Sequence, residues 1–140
     1  MADVHRVLGT LPAGVDLMAT ADGREKTVEA SRARLARMVG CDACEADDAT
    51  WLRLAQWFAE AQMRTLTEAA MLVMSACAMT AGAIVTAGIG AAVVAELARR
   101  LQCACMSFHE LLDVAPEAGM GVCHCAPAAA LAWLASEIDA

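Results

Sequence analysis

The stretch from Ala69 to Ala95, AAMLVMSACAMTAGAIVTAGIGAAVVA, has no charged residue and decides the predicted fold. On a helix, its small and bulky residues fall on separate faces, each recurring every four residues. The small faces consist of Ala83, Ala87, Ala91 and Ala95 and of Gly82, Thr86 and Gly90; the bulky face consists of Val85, Ile89 and Val93. Such a helix has no face suited to water, so the pattern predicts a buried central helix. A joint near Thr80 and Gly82 separates it from a helix that ends at about Ala78.

Helical patterns continue on both sides of this stretch. Gly40 is typical of a helix end, Asp47 or Asp48 can cap the next helix, and Thr65 with Glu68 forms a capping box. The predicted surrounding helices are Asp3–Leu11, Arg24–Val39, Trp51–Arg64, Leu66–Ala78 and one from Pro127. The central helix either ends near Arg99 and Arg100, whose charges suit a helix C-terminus, or continues to about Val114. We therefore predict an all-α fold without strands: one domain over residues 1–140, a compact bundle of six or seven helices around a buried central helix.

The composition argues against several classes of protein. The chain has 140 residues and is 59% hydrophobic, which suffices for one well-formed core. Its 17 acidic and 10 basic side chains give a net charge of −7, so nucleic acid is a poor partner. No catalytic triad, phosphate loop or paired carboxylate motif stands out, so we predict neither an enzyme nor a cofactor. The segment Met1–Leu11 is too polar for a secretory signal, which favours a reducing compartment.

A membrane protein is one alternative to the buried helix. The 27 uncharged residues of Ala69–Ala95 exceed the length needed to span a bilayer. Small residues spaced by four are also what helix pairs use in lipid. However, the many alanines, glycines and hydroxyl residues dilute the apolar signal. We therefore favour a buried core and leave membrane association open.

The seven cysteines raise a second alternative, a thiol-rich bundle that binds copper or zinc. Cys41-x-x-Cys44 has a metal-ligand spacing, but a single pair of this kind is a weak signal. If the segment around Cys103 is helical, Cys105 and His109 lie one turn apart and form the better pair. Unligated cysteines that pack as small hydrophobes are the simpler interpretation, so we predict no metal site.

The segment Gly82–Glu96 resembles the central helix of the Bcl family of apoptosis regulators. That helix opens with an Asn-Trp-Gly-Arg motif and continues with two aliphatic residues and a later run of small ones. The matching positions here are Gly82, Ile84, Val85 and Gly90–Ala92. Leu35–Asp42 resembles the family's third homology motif, a leucine-containing turn that ends in Gly-Asp. The motif's Asn, Trp and Arg, of which the Arg pairs with a bound death-ligand helix, are replaced by Thr80, Ala81 and Ala83.

The resemblance implies a divergent viral Bcl-like protein in the cytoplasm of a host cell. Such a protein inhibits apoptosis or innate-immune signalling by binding an amphipathic host helix in a hydrophobic groove. Methionines suit such a surface because their flexible side chains adapt to several partners. The predicted groove residues are Trp57, Phe58, Met63, Leu66, Met71, Met74, Gly82 and Val85. A homodimer is also left open.

Overall fold

The computed structural model describes residues 1–77, 82–112 and 119–138 and divides the chain into two compact units, Met1–Leu66 and Thr67–Ala140. The chain is mostly helical, as predicted. The helices are α1 (Ala2–Val7), α2 (Val28–Met38), α3 (Asp48–Ala76), α4 (Ala91–Leu101), α5 (Gly119–His124) and α6 (Ala126–Ile138). The strands are β1 (Ala83–Thr86) and β2 (Ala104–Ser107), and short 3₁₀ helices cover Ala43–Glu45 and Phe108–Leu111. Whether the chain is one domain stays a prediction.

The first unit is held by a small apolar core between α1, α2 and α3. Val4, Leu35 and Ala55, one from each helix, are buried against one another. Val7, Leu8, Phe58 and Ala59 pack around them. The helical spacing of the apolar residues correctly identified the inner face of α3, where Trp51 and Ala55 are buried. On α2 it identified Leu35, but Met38 and Val39, which were predicted on the same face, are exposed.

A charged cluster joins α1 and the loop after it to α2. The Arg34 guanidinium is buried and forms ion pairs with Asp3 at 2.7 Å and with Asp22 at 3.0 Å. Burial raises the pKa of Asp22, but hydrogen bonds from the Arg24 backbone and from the Arg37 and Arg34 side chains lower it to about 2. The cluster therefore stabilises the folded chain most strongly when these carboxyl groups are ionised.

Helix α3 begins as predicted but does not end where predicted. The Asp47 carboxylate accepts a hydrogen bond from the Thr50 backbone N–H at 2.8 Å, which caps the helix start. The prediction of a new helix near Leu66 is wrong, because α3 runs unbroken to Ala76. The Thr65 hydroxyl donates a hydrogen bond to the Ala61 carbonyl at 3.2 Å, one turn earlier in the same helix. Thr65 therefore does not cap a helix start.

In the second unit, the predicted buried central helix is wrong. Ala83–Thr86 forms a strand, and a turn precedes α4. The consecutive β-branched residues Ile84, Val85 and Thr86 favour a strand. At Gly88 the backbone φ of +73° is incompatible with a continuous right-handed helix. The fold is accordingly not purely α-helical.

The two strands pair in parallel, with Ala83 opposite Ala104 and Thr86 opposite Ser107. Helix α4 connects them, so the unit contains a β–α–β arrangement. Helix α4 ends at Leu101, because Gln102 adopts a left-handed conformation, so Arg99 and Arg100 lie in its last turn as predicted. The alternative continuation to about Val114 is wrong from Gln102 to Leu112, and its last two positions lie outside the described residues.

Three further predictions concern the start of α6, the joint before β1 and a membrane-spanning helix. Helix α6 begins within one residue of the predicted start at Pro127. The predicted joint near Thr80 lies outside the described residues. Within the described ranges, no helix is both long and apolar enough to cross a membrane.

Candidate functional site

The carboxyl ends of β1 and β2 form one edge of the second unit. Thr86 and Ser107, the last residues of the two strands, are paired in the register. The segments that follow them, the turn Ala87–Gly90 and the 3₁₀ helix Phe108–Leu111, therefore leave the sheet at the same edge. In open α/β sheets, ligands bind in the crevice outside the carboxyl ends of the strands. A ligand site is therefore expected at the carboxyl ends of these two strands.

A cleft of about 420 Å³ opens at this edge. It is lined by Ala87, Gly88, Phe108, Ala126, Pro127 and Ala130. Its volume falls within the roughly 300–1,000 Å³ that small-molecule pockets usually have, and its walls are almost wholly apolar. Phe108 is the aromatic member of this lining, so an apolar group of a ligand suits this cleft.

The turn Ala87–Gly90 borders the cleft and leads into α4. Gly90 occupies the N-cap position without a side-chain hydrogen bond, and the first turn of α4 has no acidic residue. In the described part of the chain, the N–H groups of Ile89 and Gly90 donate to no backbone carbonyl. A Cβ atom built on Gly88 or Gly90 would meet no described atom within 4 Å. Open amides beside the positive end of a helix suit an anionic group.

A polar cluster of Ser107, His109 and Cys123 lies next to this turn. The Cys123 Sγ is 2.9 Å from the Ser107 Oγ and 3.3 Å from the His109 Nδ1, and those two atoms are 2.8 Å apart. The Cys123 carbonyl accepts a hydrogen bond from the Gly88 N–H at 2.7 Å. Cys123 therefore joins α5 both to the end of β2 and to the glycine turn.

The surroundings of Cys123 favour its ionised form. Burial raises the pKa of the thiol, but hydrogen bonds from Ser107 and from the backbone and side chain of His109, with the His109 charge, lower it below its ordinary 9.0. The sulfur is also fully buried. A buried thiol with several hydrogen-bond donors around it is therefore not explained by apolar packing alone.

The predicted pairing of Cys105 with His109 on one helical face is wrong. Cys105 lies on β2 and is exposed, whereas His109 contacts Cys123. All seven cysteines are free thiols. Among the described residues, no three histidine, cysteine or acidic side chains converge as a metal site would require.

The predicted groove residues are distributed over α3 and the start of β1. Trp57 and Met71 are exposed by 61% and 58%, and Trp57 contacts Phe58 edge to face with ring centroids 5.2 Å apart. Of the others, Met63 is buried; Phe58, Leu66 and Met74 are half-buried; Gly82 and Val85 are exposed. The first unit contains Trp57, Phe58, Met63 and Leu66, whereas the second contains Met71, Met74, Gly82 and Val85. A groove that unites them stays a prediction.

Sequence reasoning missed the glycine turn and the cysteine cluster. For the turn, a signal existed: a β-branched run followed by Ala87-Gly88-Ile89-Gly90 and a helical pattern. For the cluster none existed, because His109 and Cys123 are 14 residues apart and meet only through the fold. No protein-family model and no curated protein shows a significant match to the chain.

Proposed function

We propose that the β1–α4–β2 unit binds a small molecule that combines an apolar ring with a phosphate or similar anionic group. The observation that supports this proposal is the combination of an apolar cleft and an uncapped helix start at one edge of a parallel sheet. Neither feature alone defines a ligand. Together they indicate a ligand with one apolar end and one anionic end.

The anionic end belongs at the turn Ala87–Gly90. A helix start without a side-chain cap carries about half a positive charge. Among the described residues, the open donors here are the N–H groups of Ile89 and Gly90, since those of Ala91 and Val93 donate to the Gly88 and Gly90 carbonyls. Gly88 and Gly90 have no side chain to obstruct an anion, and the space around both positions is open among the described atoms. Backbone amides in this arrangement bind phosphate groups in many unrelated folds.

The apolar end belongs in the cleft between Phe108 and the start of α6. Ala126, Pro127 and Ala130 form the α6 side of the cleft and leave room for a flat ring. Removing roughly 60–100 Å² of ring surface from water at about 25 cal/mol per Å² is worth about 1.5–2.5 kcal/mol, or about 10- to 70-fold in affinity. The proposal concerns binding and assigns no reaction.

Calorimetric titration with phenyl phosphate and with inorganic phosphate tests both ends. Phenyl phosphate should bind the intact chain more tightly than inorganic phosphate by about tenfold or more. Gly90→Asp should weaken binding by at least about tenfold through charge repulsion, and yet stabilise α4 through its dipole. Gly90→Asn is the matched neutral control and should bind nearly as the unchanged chain does. Absence of phenyl phosphate binding, or equal binding by both variants, would contradict the proposal.

A second candidate function is the binding of a partner helix on α3, as the resemblance to the Bcl family implies. The exposed Trp57, in the part of α3 that belongs to the first unit, supports it, because a large apolar side chain left in water is available to an apolar partner. A panel of amphipathic cell-death peptides, followed by fluorescence anisotropy, tests it. Trp57→Ala should abolish peptide binding, whereas Leu17→Ala, at an exposed loop position, should not. If no peptide binds, this candidate fails.

A further inference from the structure

The Ser107, His109 and Cys123 cluster has more polar contacts than packing requires. A neutral thiol is a weak hydrogen-bonding group and can be buried as a small hydrophobe. Here the Cys123 sulfur lies 2.9 Å from the Ser107 hydroxyl and 3.3 Å from the His109 ring nitrogen. Donors converging on a sulfur stabilise its ionised form, because charge-assisted hydrogen bonds are the stronger ones.

The geometry also provides a place for the thiol proton. The His109 Nδ1 can accept it directly from Sγ at 3.3 Å, and the resulting imidazolium stays hydrogen-bonded to the Ser107 hydroxyl at 2.8 Å. Each charge then lies beside its opposite in a partly buried setting, where their attraction is little screened. We propose that Cys123 and His109 form a thiolate–imidazolium pair and that Cys123 is a site of covalent modification by small soft electrophiles.

Access to the sulfur requires a local opening, because Cys123 is fully buried in the closed state. Helix α5 has only six residues, and helices this short have little stability of their own. Ser107 and His109 are half-buried, so an outward movement of α5 would bring the sulfur to solvent. When opening is rare, the reaction rate rises with pH until the closed-state thiol is ionised and then levels off. The levelling pH therefore reports the closed state, while the absolute rate reports the opening.

With iodoacetamide as the electrophile, the reaction is a simple displacement. The Sγ electron pair attacks the methylene carbon, a carbon–sulfur bond forms, the carbon–iodine bond breaks and iodide leaves. The thiol proton remains on His109 until it exchanges with water, and nothing is oxidised or reduced. Because Cys123 is fully buried in the closed state, the added group would displace neighbouring atoms. It would therefore also disturb the hydrogen bond from the Gly88 N–H to the Cys123 carbonyl. The reactivity of Cys123 does not depend on the proposed ligand site.

The test follows alkylation of each cysteine in the intact chain from about pH 5 to about pH 10 by peptide mass spectrometry. The exposed Cys105 and Cys125 serve as internal references. The rate at Cys123 should level off at a lower pH than the rates at both references. His109→Asn should raise the Cys123 value to that of the references, and His124→Asn, beside Cys123 in sequence, should leave it unchanged.

Two results would overturn the proposal. One is a Cys123 profile that coincides with those of Cys105 and Cys125, or no reaction at Cys123 at any pH. The other is a His109→Asn profile like that of the unchanged chain, with circular dichroism showing that the variant is folded. If that variant does not fold, the comparison of Cys123 with the two reference cysteines decides alone.

Discussion

Replacing Gly88 by alanine should destabilise the second unit through backbone conformation alone. Its φ of +73° lies in the left-handed region, where a Cβ atom costs about 1–2 kcal/mol. The new methyl group would meet no described atom within 4 Å, so no steric clash adds to that cost. Alanine also restricts the unfolded chain, which offsets part of the cost. We therefore expect a loss of about 1 kcal/mol in the free energy of unfolding.

Gly121→Ala is the matched control for this prediction. Gly121 lies within α5, has no positive φ and also has open space for a Cβ atom among the described residues. Alanine is a better helix former than glycine by about 0.5–1 kcal/mol, so this variant should be more stable than the unchanged chain. The same added methyl group should thus have opposite effects at the two positions. Urea denaturation followed by far-ultraviolet circular dichroism measures both.

A Gly88→Ala variant as stable as the unchanged chain would refute the reasoning. It would mean that the turn adopts a conformation open to any residue, and the β1–α4 connection would then be misassigned. A loss well above about 2 kcal/mol would point instead to a steric clash, contrary to the open space around the turn.

Four further variants test the first unit by urea denaturation. Leu35→Ala should lower the free energy of unfolding by about 2–5 kcal/mol because Leu35 is fully buried, whereas Leu17→Ala, 87% exposed, should change it by under about 0.5 kcal/mol. The pKa of Asp22 is about 2 in the folded chain against its ordinary 3.8, so its stabilising contribution is present above about pH 4 and is lost as the pH falls toward 2. Asp22→Asn should remove that part of the acid dependence, and an unchanged acid profile would contradict the assignment. Thr65→Ala should leave stability unchanged or slightly raise it, since threonine in a helix interior is a poor helix former; a loss of about 1 kcal/mol would instead indicate a cap.

The helices could be predicted where the signal is local. The ends of α2 at Gly40 and of α3 at Asp47 follow from single residues with well-defined conformational preferences. The capping pattern at Thr65 failed because it only permits a helix start, and the apolar spacing on either side allows α3 to continue. Local patterns thus identify the positions at which a helix is able to end, but they do not determine at which of these positions it ends.

The strands could not be predicted from the same signals. β1 has four residues, too few for a distinct period, and its small residues Ala83 and Thr86 also match the helical spacing of four in the surrounding segment. Its partner β2 lies across the whole of α4, so the pairing that stabilises the strand is a non-local contact. The candidate site depends on this pairing, since only the parallel register brings Thr86 and Ser107 together at the carboxyl ends of the two strands.

The two-stranded sheet also determines how far further strands can add to it. Within the described residues, each strand has one neighbour, so β1 and β2 each leave one side without a strand partner. Unpaired edges are templates on which another extended chain can hydrogen-bond. Each edge here is only four residues long, which permits few such bonds and keeps the gain from strand addition small. Edge length, rather than charge, is thus what protects this sheet from aggregation through its edges.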